Sequence, residues 1–369
     1  MSQPRDTQLE SFVEPDTYLD WQKAEGVRVL YEYAFEDLCD VELSPWPRKG
    51  GAGAIINIPY PKLWSDSHLI EIKPGGSSEP ERHMYEEAVY ILKGRGTTSV
   101  WTDDSHKITF EWQEGSVFAI PLNAWYQHHN MSGTDTVRYI AVTNAPFIMR
   151  IFRNLDFIFN NPFVFKDRFQ SDDSYFSAEG KLYRKRVWKS NFLPDARFAN
   201  LAGSDRRGLR STNTQLEMAS NVRKVHISEF PIGTYKKAHR HGPGANLFIL
   251  DGEGFSLLWQ EGQERRKVNW KRGGMIIVPT EACFHQHFNT GNRPARYLAF
   301  RGTSEIGTEV RGPDDASAER SLDEGGWQIE FEDEDRSIHE MFERDLASHG
   351  AVCRMKDAVP WCTGISDRE

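Results

Sequence analysis

Apolar residues in this chain come mostly in short runs bounded by glycine, proline or charge, rather than at helical spacing. Ala88-Val89-Tyr90-Ile91-Leu92, Val117-Phe118-Ala119-Ile120 and Met275-Ile276-Ile277-Val278 are of this kind. Their length and their β-branched and aromatic content predict buried strands. The pairs Gly94/Gly96 and Gly252/Gly254 mark tight turns or close backbone approach. A helical period is rarer. Ile148, Ile151, Phe152, Leu155, Ile158 and Phe159 predict one amphipathic helix over 148–159. Ile338, Met341, Phe342 and Leu346 predict another, capped by Asp335 or Ser337. Trp21 to Leu38 is expected to be helical as well. These flanking segments are expected to cover barrel edges or to build a homo-oligomer interface.

The chain also matches itself. At an offset of 158 residues, Gly75 falls on Gly233, His83 on His241, Gly94 on Gly252, Trp112 on Trp270, Gly115 on Gly273 and Pro121 on Pro279. With one inserted residue, Gln127, His128 and Asn130 fall on Gln286, His287 and Asn289. One domain therefore occurs twice. Many short strands with regular turn signals predict an all-β fold of two tandem jelly-roll barrels with flanking helices. The expected division is an N-terminal helical arm (1–45), a first barrel (46–147) and a helical or irregular linker (148–220). A second barrel (221–303) and a C-terminal tail with one helix (304–369) complete it.

Composition narrows the function. Of 369 residues, 45 are Lys or Arg and 54 are Asp or Glu, a net charge of −9. This balance argues against a nucleic-acid partner, even with the short basic run Lys181 to Lys189. No stretch has the ~18 apolar residues of a membrane helix, and the polar Met1 to Tyr18 lacks a signal-peptide core. Cys39, Cys283, Cys353 and Cys362 form no CxxC pattern. A cytoplasmic protein without disulfides is expected. The acidic run Glu330 to Asp335 lacks the spacing of a calcium loop and is expected to be solvated tail.

The repeat carries a two-part motif: a glycine, five residues, a His-x-His, then later Gly-x5-Pro and a His four residues before an Asn. In this it resembles the cupins, which implies a bicupin whose motif residues hold a divalent metal in the barrel mouth. The second repeat fits best, with Gly233, His239-Arg240-His241, Gly273, Pro279, His285 and Asn289. The resemblance implies His239, His241 and His285 as metal ligands. The loop after Pro279 is one residue longer than the pattern, so His287, further along the same face, is a rival ligand. Its counterpart His128 in the other repeat favours a different role, and His287 is taken as a proton shuttle. The first repeat has Glu81, His83 and Tyr126 at the ligand positions and keeps the motif carboxylate as Glu87. Losing two imidazoles lowers affinity for mid-row metals, so a metal-free barrel is expected there.

In the second repeat the carboxylate position is Ala245. The string from His239 to Gly254, together with His285-Gln286-His287, resembles the gentisate/salicylate 1,2-dioxygenase-like ring-cleaving enzymes. That resemblance implies Fe(II), O2 and a hydroxylated aromatic acid. It departs from the family in placing the metal in the C-terminal barrel and in having Leu247 where an arginine holds the substrate carboxylate. Asn246, Trp259 and Phe284 are expected to line the substrate pocket. The leading expectation is an Fe(II) dioxygenase acting on a small chelating substrate. The alternatives are a lyase, decarboxylase or isomerase using Mn(II), Ni(II) or Zn(II) without O2, and a non-catalytic small-ligand binder.

Overall fold

The short apolar runs pair into antiparallel ladders, and each copy of the repeat closes two sheets on each other. The structure is a computed structural model that describes residues 15–58, 64–103, 106–169, 172–183, 186–205, 207–241, 244–279, 283–301 and 320–366. In the first copy, Gly51–Asn57, Asp66–Ile72, Val137–Thr143, Glu87–Lys93 and Val117–Ile120 lie side by side. Opposite them stand Trp125–Asn130, Arg95–Trp101 and Ile108–Gln113. The second copy repeats the order with Ser211–Glu217, Lys224–Phe230, Ala295–Arg301, Ala245–Asp251 and Met275–Val278, facing Arg266–Lys271, Glu253–Trp259 and Phe284–Asn289. These are the two tandem jelly rolls that the turn spacing predicts. Gly254 is a point of close approach: a Cβ there would come within 1.9 Å of the Phe288 carbonyl oxygen on the neighbouring strand.

The repeat runs further back than its motifs show. Each copy begins with an arm that adds a two-residue strand to the other barrel. Ala34–Phe35 pairs with Met275–Val278 of the second barrel, and Phe192–Leu193 pairs with Val117–Ile120 of the first. The exchange is reciprocal in detail. Leu38 N–H donates to the Gly273 carbonyl at 3.0 Å, and Ala196 N–H to that of Gly115 at 2.8 Å. Arg138 Nη1 reaches the carbonyls of Leu38, Cys39 and Val41, while Arg296 Nη1 reaches those of Ala196, Arg197 and Ala199. Every pair keeps the 158-residue offset.

Three flanking segments differ from expectation. The N-terminal helix is only α1, Thr17–Glu25, stopped by Gly26 in the left-handed conformation. Beyond it Arg28–Tyr31, with its Val-Leu core, runs parallel to Gly51–Asn57 as a strand. The helix predicted over 148–159 is two, α2 (Ala145–Phe152) and α3 (Leu155–Asn160). The break falls at Arg153, which has φ 49°, and the Asn154 side chain then caps α3 through the Phe157 N–H. The linker is neither helical nor wholly irregular after α3, because it holds Lys181–Tyr183, Val187–Lys189 and the exchanged arm.

Helix α4, Arg336–Ser348, starts at Asp335, whose carboxylate accepts the Ser337 N–H. It buries Ile338, Phe342 and Leu346 against Tyr235, Phe255, Leu257, Trp259, Phe284 and Phe288, the outer face of the second barrel's small sheet. The acidic run before it is solvated only in part: Glu332, Asp333 and Asp335 are exposed, while Phe331 and Glu334 are built into this layer. Glu334 is buried and accepts from Tyr235 and Gln286, and Glu330 pairs with Lys237. No helix among the described residues is long and apolar enough to cross a membrane.

Candidate metal centre

Alternation along Phe284–Asn289 decides which side chains meet inside the second barrel. Phe284, Gln286 and Phe288 turn outward to the α4 layer, so His285 and His287 turn inward. Reciprocal backbone bonds, His239 N–H to the His285 carbonyl (3.1 Å) and His285 N–H to that of His239 (2.9 Å), bring the His239 segment alongside. The ring of His285 lies 4.2 Å from that of His239 and 4.7 Å from that of His241. One ligating atom from each of the three lies within 4.8 Å of the others, and all three residues are buried.

The surroundings favour the ligand form of each imidazole. His239 Nδ1 bonds the Lys237 carbonyl and His285 Nδ1 the Cys283 carbonyl, both at 3.1 Å. A carbonyl only accepts, so these nitrogens carry the protons and the two Nε2 lone pairs are left for a metal. His241 Nδ1 is buried with no hydrogen-bond partner. Burial lowers all three basicities, the Arg207 charge lowers them further, and Arg301 adds to this at His241 and His285; His285 is brought down to about 3. At neutral pH the set is uncharged and fits a divalent first-row cation.

His287 stands outside this set. Its Nδ1 is 2.7 Å from Ser256 Oγ, which also accepts the Trp270 indole N–H at 3.0 Å. The first barrel repeats the chain as His128, Thr98 and Trp112, at 2.7 and 2.8 Å. A hydroxyl bridge between tryptophan and histidine is thus common to both barrels.

The three residues expected in the pocket lie elsewhere. Asn246 turns to the other barrel and donates to Ser67 Oγ at 3.0 Å. Trp259 and Phe284 stack on each other in the outer layer with α4, ring centroids 5.4 Å apart. Arg240 also points outward, to Glu261 at 2.8 Å. What surrounds the histidines instead is cationic. Arg207 Nη1 lies 3.2 Å from His239 Nε2. Lys236, wholly buried, donates to Ser228 Oγ and, at 3.1 Å, to the Tyr297 hydroxyl. Arg207 sits in an unpatterned stretch, with no sequence signal. Lys236 is hidden by a register slip: Tyr235 stands opposite Phe288 but His239 opposite His285, one residue too many for plain alternation.

The first barrel brings Glu81, His83, Glu87 and Tyr126 together as well. There, however, a buried ammonium occupies the centre. Lys49 Nζ pairs closely with Glu81. Tyr126 OH donates to Glu81 at 2.8 Å and lies 3.1 Å from His83 Nε2, which is 3.4 Å from Glu87. Burial alone would raise the Glu87 carboxyl, but Lys49 and His83 reverse this and hold it well below the usual carboxylate range.

Comparison with known proteins gives one family match: residues 68–143, most of the first barrel, fit the model of the cupin domain. No curated protein matched the chain. Among solved structures, a mutant of Bacillus subtilis oxalate decarboxylase is similar at 14% identity and a TM-score of 0.49, over 75% of this chain and 78% of that one. A structure of the same enzyme concerned with its Mn(II) centres gives 15% and 0.48 over 75% and 78%. A tryptophan-to-tyrosine variant of it gives 15% and 0.49 over 74% and 78%. Residues 68–143 thus match the cupin domain, and the second jelly roll repeats the strand order of the first.

Proposed function

We propose that the second barrel is a metal-dependent active site, with His239, His241 and His285 as ligands, acting on a small anionic chelating substrate. The observation that carries this reading is three convergent neutral imidazoles with Ala245 at the carboxylate position and cationic side chains around them. Three protein ligands leave positions open, and a centre without its own carboxylate takes its charge balance from the substrate. Bound there, Fe(II) supplies Lewis acidity and a route for electrons to O2, and dioxygenation of a hydroxylated aromatic acid is the reading placed first, on the strength of the His-Arg-His and Ala245 pattern.

The chain's own residues do the rest. Arg207 is bonded to the same Nε2 of His239 that a metal takes. Were His239 to hold a metal through that nitrogen, the Arg207 guanidinium would be released to face a substrate carboxylate, for which its fork of donors is suited. Arg301, close enough to depress His241 and His285, adds to the field that draws an anion in. Ser256 fixes the His287 ring beside His285, in position to carry a proton to or from the substrate.

A second reading keeps the ligands and dispenses with O2. The buried trio Lys236, Ser228 and Tyr297 offers hydroxyl and ammonium protons to a developing carbanion, as a decarboxylase or lyase using Mn(II), Ni(II) or Zn(II) requires. Elemental analysis of protein purified without oxygen, followed by oxygen-uptake assays on salicylate, gentisate and diketones, separates the two. Iron with uptake on one of these supports the first. Turnover under argon with manganese or zinc supports the second. Protein that retains no first-row metal overturns both.

A further inference from the structure

The C-terminal segment holds a cluster that the barrel chemistry does not use. Helix α4 sets His339 and Glu343 one turn apart on one face, and the chain after it returns through Cys353 and Cys362. One donor atom from each of the four lies within 4.8 Å of all the others. The two sulfurs are 3.4 Å apart and unbonded, His339 Nε2 is 4.0 Å from Cys353 Sγ, and the same nitrogen is 3.2 Å from Glu343 Oε1. A tetrahedral zinc with bonds of ~2.3 Å to sulfur and ~2.0 Å to nitrogen or oxygen spaces its ligands by roughly 3.3–3.8 Å.

We infer that His339, Glu343, Cys353 and Cys362 form a structural zinc site that ties helix α4 to the returning C-terminal chain where both pack on the second barrel. It rests on none of the chemistry proposed for the barrel centre. Two thiolates select a soft or borderline cation, and the imidazole and carboxylate beside them suit Zn(II). Four protein donors close the coordination sphere, the mark of a structural rather than a catalytic site.

The surroundings are arranged for ligation. Tyr235 OH donates to Glu334 at 2.7 Å and lies 3.1 Å from His339 Nδ1. Its one proton is committed to the carboxylate, so it accepts from Nδ1–H, which leaves the Nε2 lone pair facing the sulfurs. Gly364 N–H points at Cys362 Sγ from 3.3 Å, a donor that favours the thiolate. Gly364 must be glycine here, because a Cβ would come within 2.4 Å of the Cys353 carbonyl oxygen. His339, Cys353 and Cys362 are buried, while the Glu343 side chain is 37% exposed and gives the ion its way in.

The site also reaches the barrel. Glu334, bonded to Tyr235, takes a hydrogen bond from Gln286, the residue between His285 and His287. An ion that fixes His339 therefore fixes the outer face of the strand that carries the barrel histidines.

The test uses the full-length protein carrying His239→Ala and His241→Ala, purified under reducing conditions without chelator, so that the barrel centre contributes no metal. One equivalent of zinc is expected, and exchange for Co(II) should give the thiolate-to-cobalt charge-transfer band and the visible bands of a tetrahedral site. Cys353→Ser should lose both, with circular dichroism reporting whether the variant is folded. If it is not, the cobalt spectrum of the cysteine-intact protein decides alone. Folded, reduced protein with no zinc, or a cobalt spectrum without thiolate charge transfer, overturns the assignment. So does a Cys353–Cys362 disulfide, seen as two missing thiols and a mass two daltons lower.

Discussion

The two barrels share strand order, turn glycines and the tryptophan–hydroxyl–histidine chain, yet their centres are charged in opposite ways. In the first, a lysine ammonium pairs with one of two carboxylates that share a phenol, and the positive charge belongs to the protein. In the second, three imidazoles face one another with no carboxylate in the group among the described residues, and cations stand around them. The first site is closed by its own ion pair and hydrogen bonds; the second is the one we propose to be completed by a metal and an anion. A site that satisfies its own charges serves stability, whereas one that leaves them for a ligand serves binding.

The sharpest way to break this contrast is at the ligands. His241→Ala should lower metal affinity by more than the ~10–100-fold that follows loss of an outer-shell partner, whereas Glu81→Gln should leave metal content unchanged. Elemental analysis after dialysis reads both, and a variant of His241 with full occupancy would erase the distinction. Next comes the built-in cation. Lys49→Met strands Glu81 and Glu87 and should cost about 3–5 kcal/mol, read as a fall in melting temperature, with Glu81→Gln added to it restoring part of the loss. An unchanged melting temperature would mean that the ammonium is not what holds the first centre.

Acid sharpens the comparison from another side. Burial lowers His128 to about 4 and His285 to about 3, and it lowers His239, His241 and His287 as well. Between those values and ~6.5 the unfolded chain binds protons that the folded one refuses, so stability falls as pH falls. The metal-free protein should lose on the order of a few kcal/mol between pH 7 and pH 5 in denaturant titrations, at ~1.36 kcal/mol per unit of difference. A flat profile would contradict the buried neutral set. The smallest effect is expected at Arg207. Its alanine variant should keep the metal and bind the anionic substrate about 10-fold more weakly, about 1.4 kcal/mol; loss of metal instead would assign it to the metal site.

Much of this was open to a reader of the sequence, and the rest was hidden for identifiable reasons. Strands and their duplication show because apolar runs, glycines and tryptophans recur in register. The three histidines show because their spacing is local to two segments. Asn246 and Phe284 are instructive, since each neighbours a position assigned to the interior, Ala245 and His285. Strict alternation already sends them to the opposite face. Trp259 follows its stacking partner Phe284 into the outer layer. Lys236 eludes the same rule because of the extra residue before His239. Lys49 stands far upstream of Glu81 in a short turn outside the motif, and only the closed fold brings the two together. His339, Cys353 and Cys362 are likewise scattered, with no spacing that announces a cluster.

The crossed arms carry an evolutionary consequence. Each half lends Ala34–Phe35 or Phe192–Leu193 to its sibling and receives the equivalent in return, so neither half owns a finished edge. A gene encoding a single half would make a polypeptide obliged to embrace another copy of itself. Fusion would make that embrace permanent within one molecule, and it would let one cavity hold a lysine where the sibling gathers three histidines.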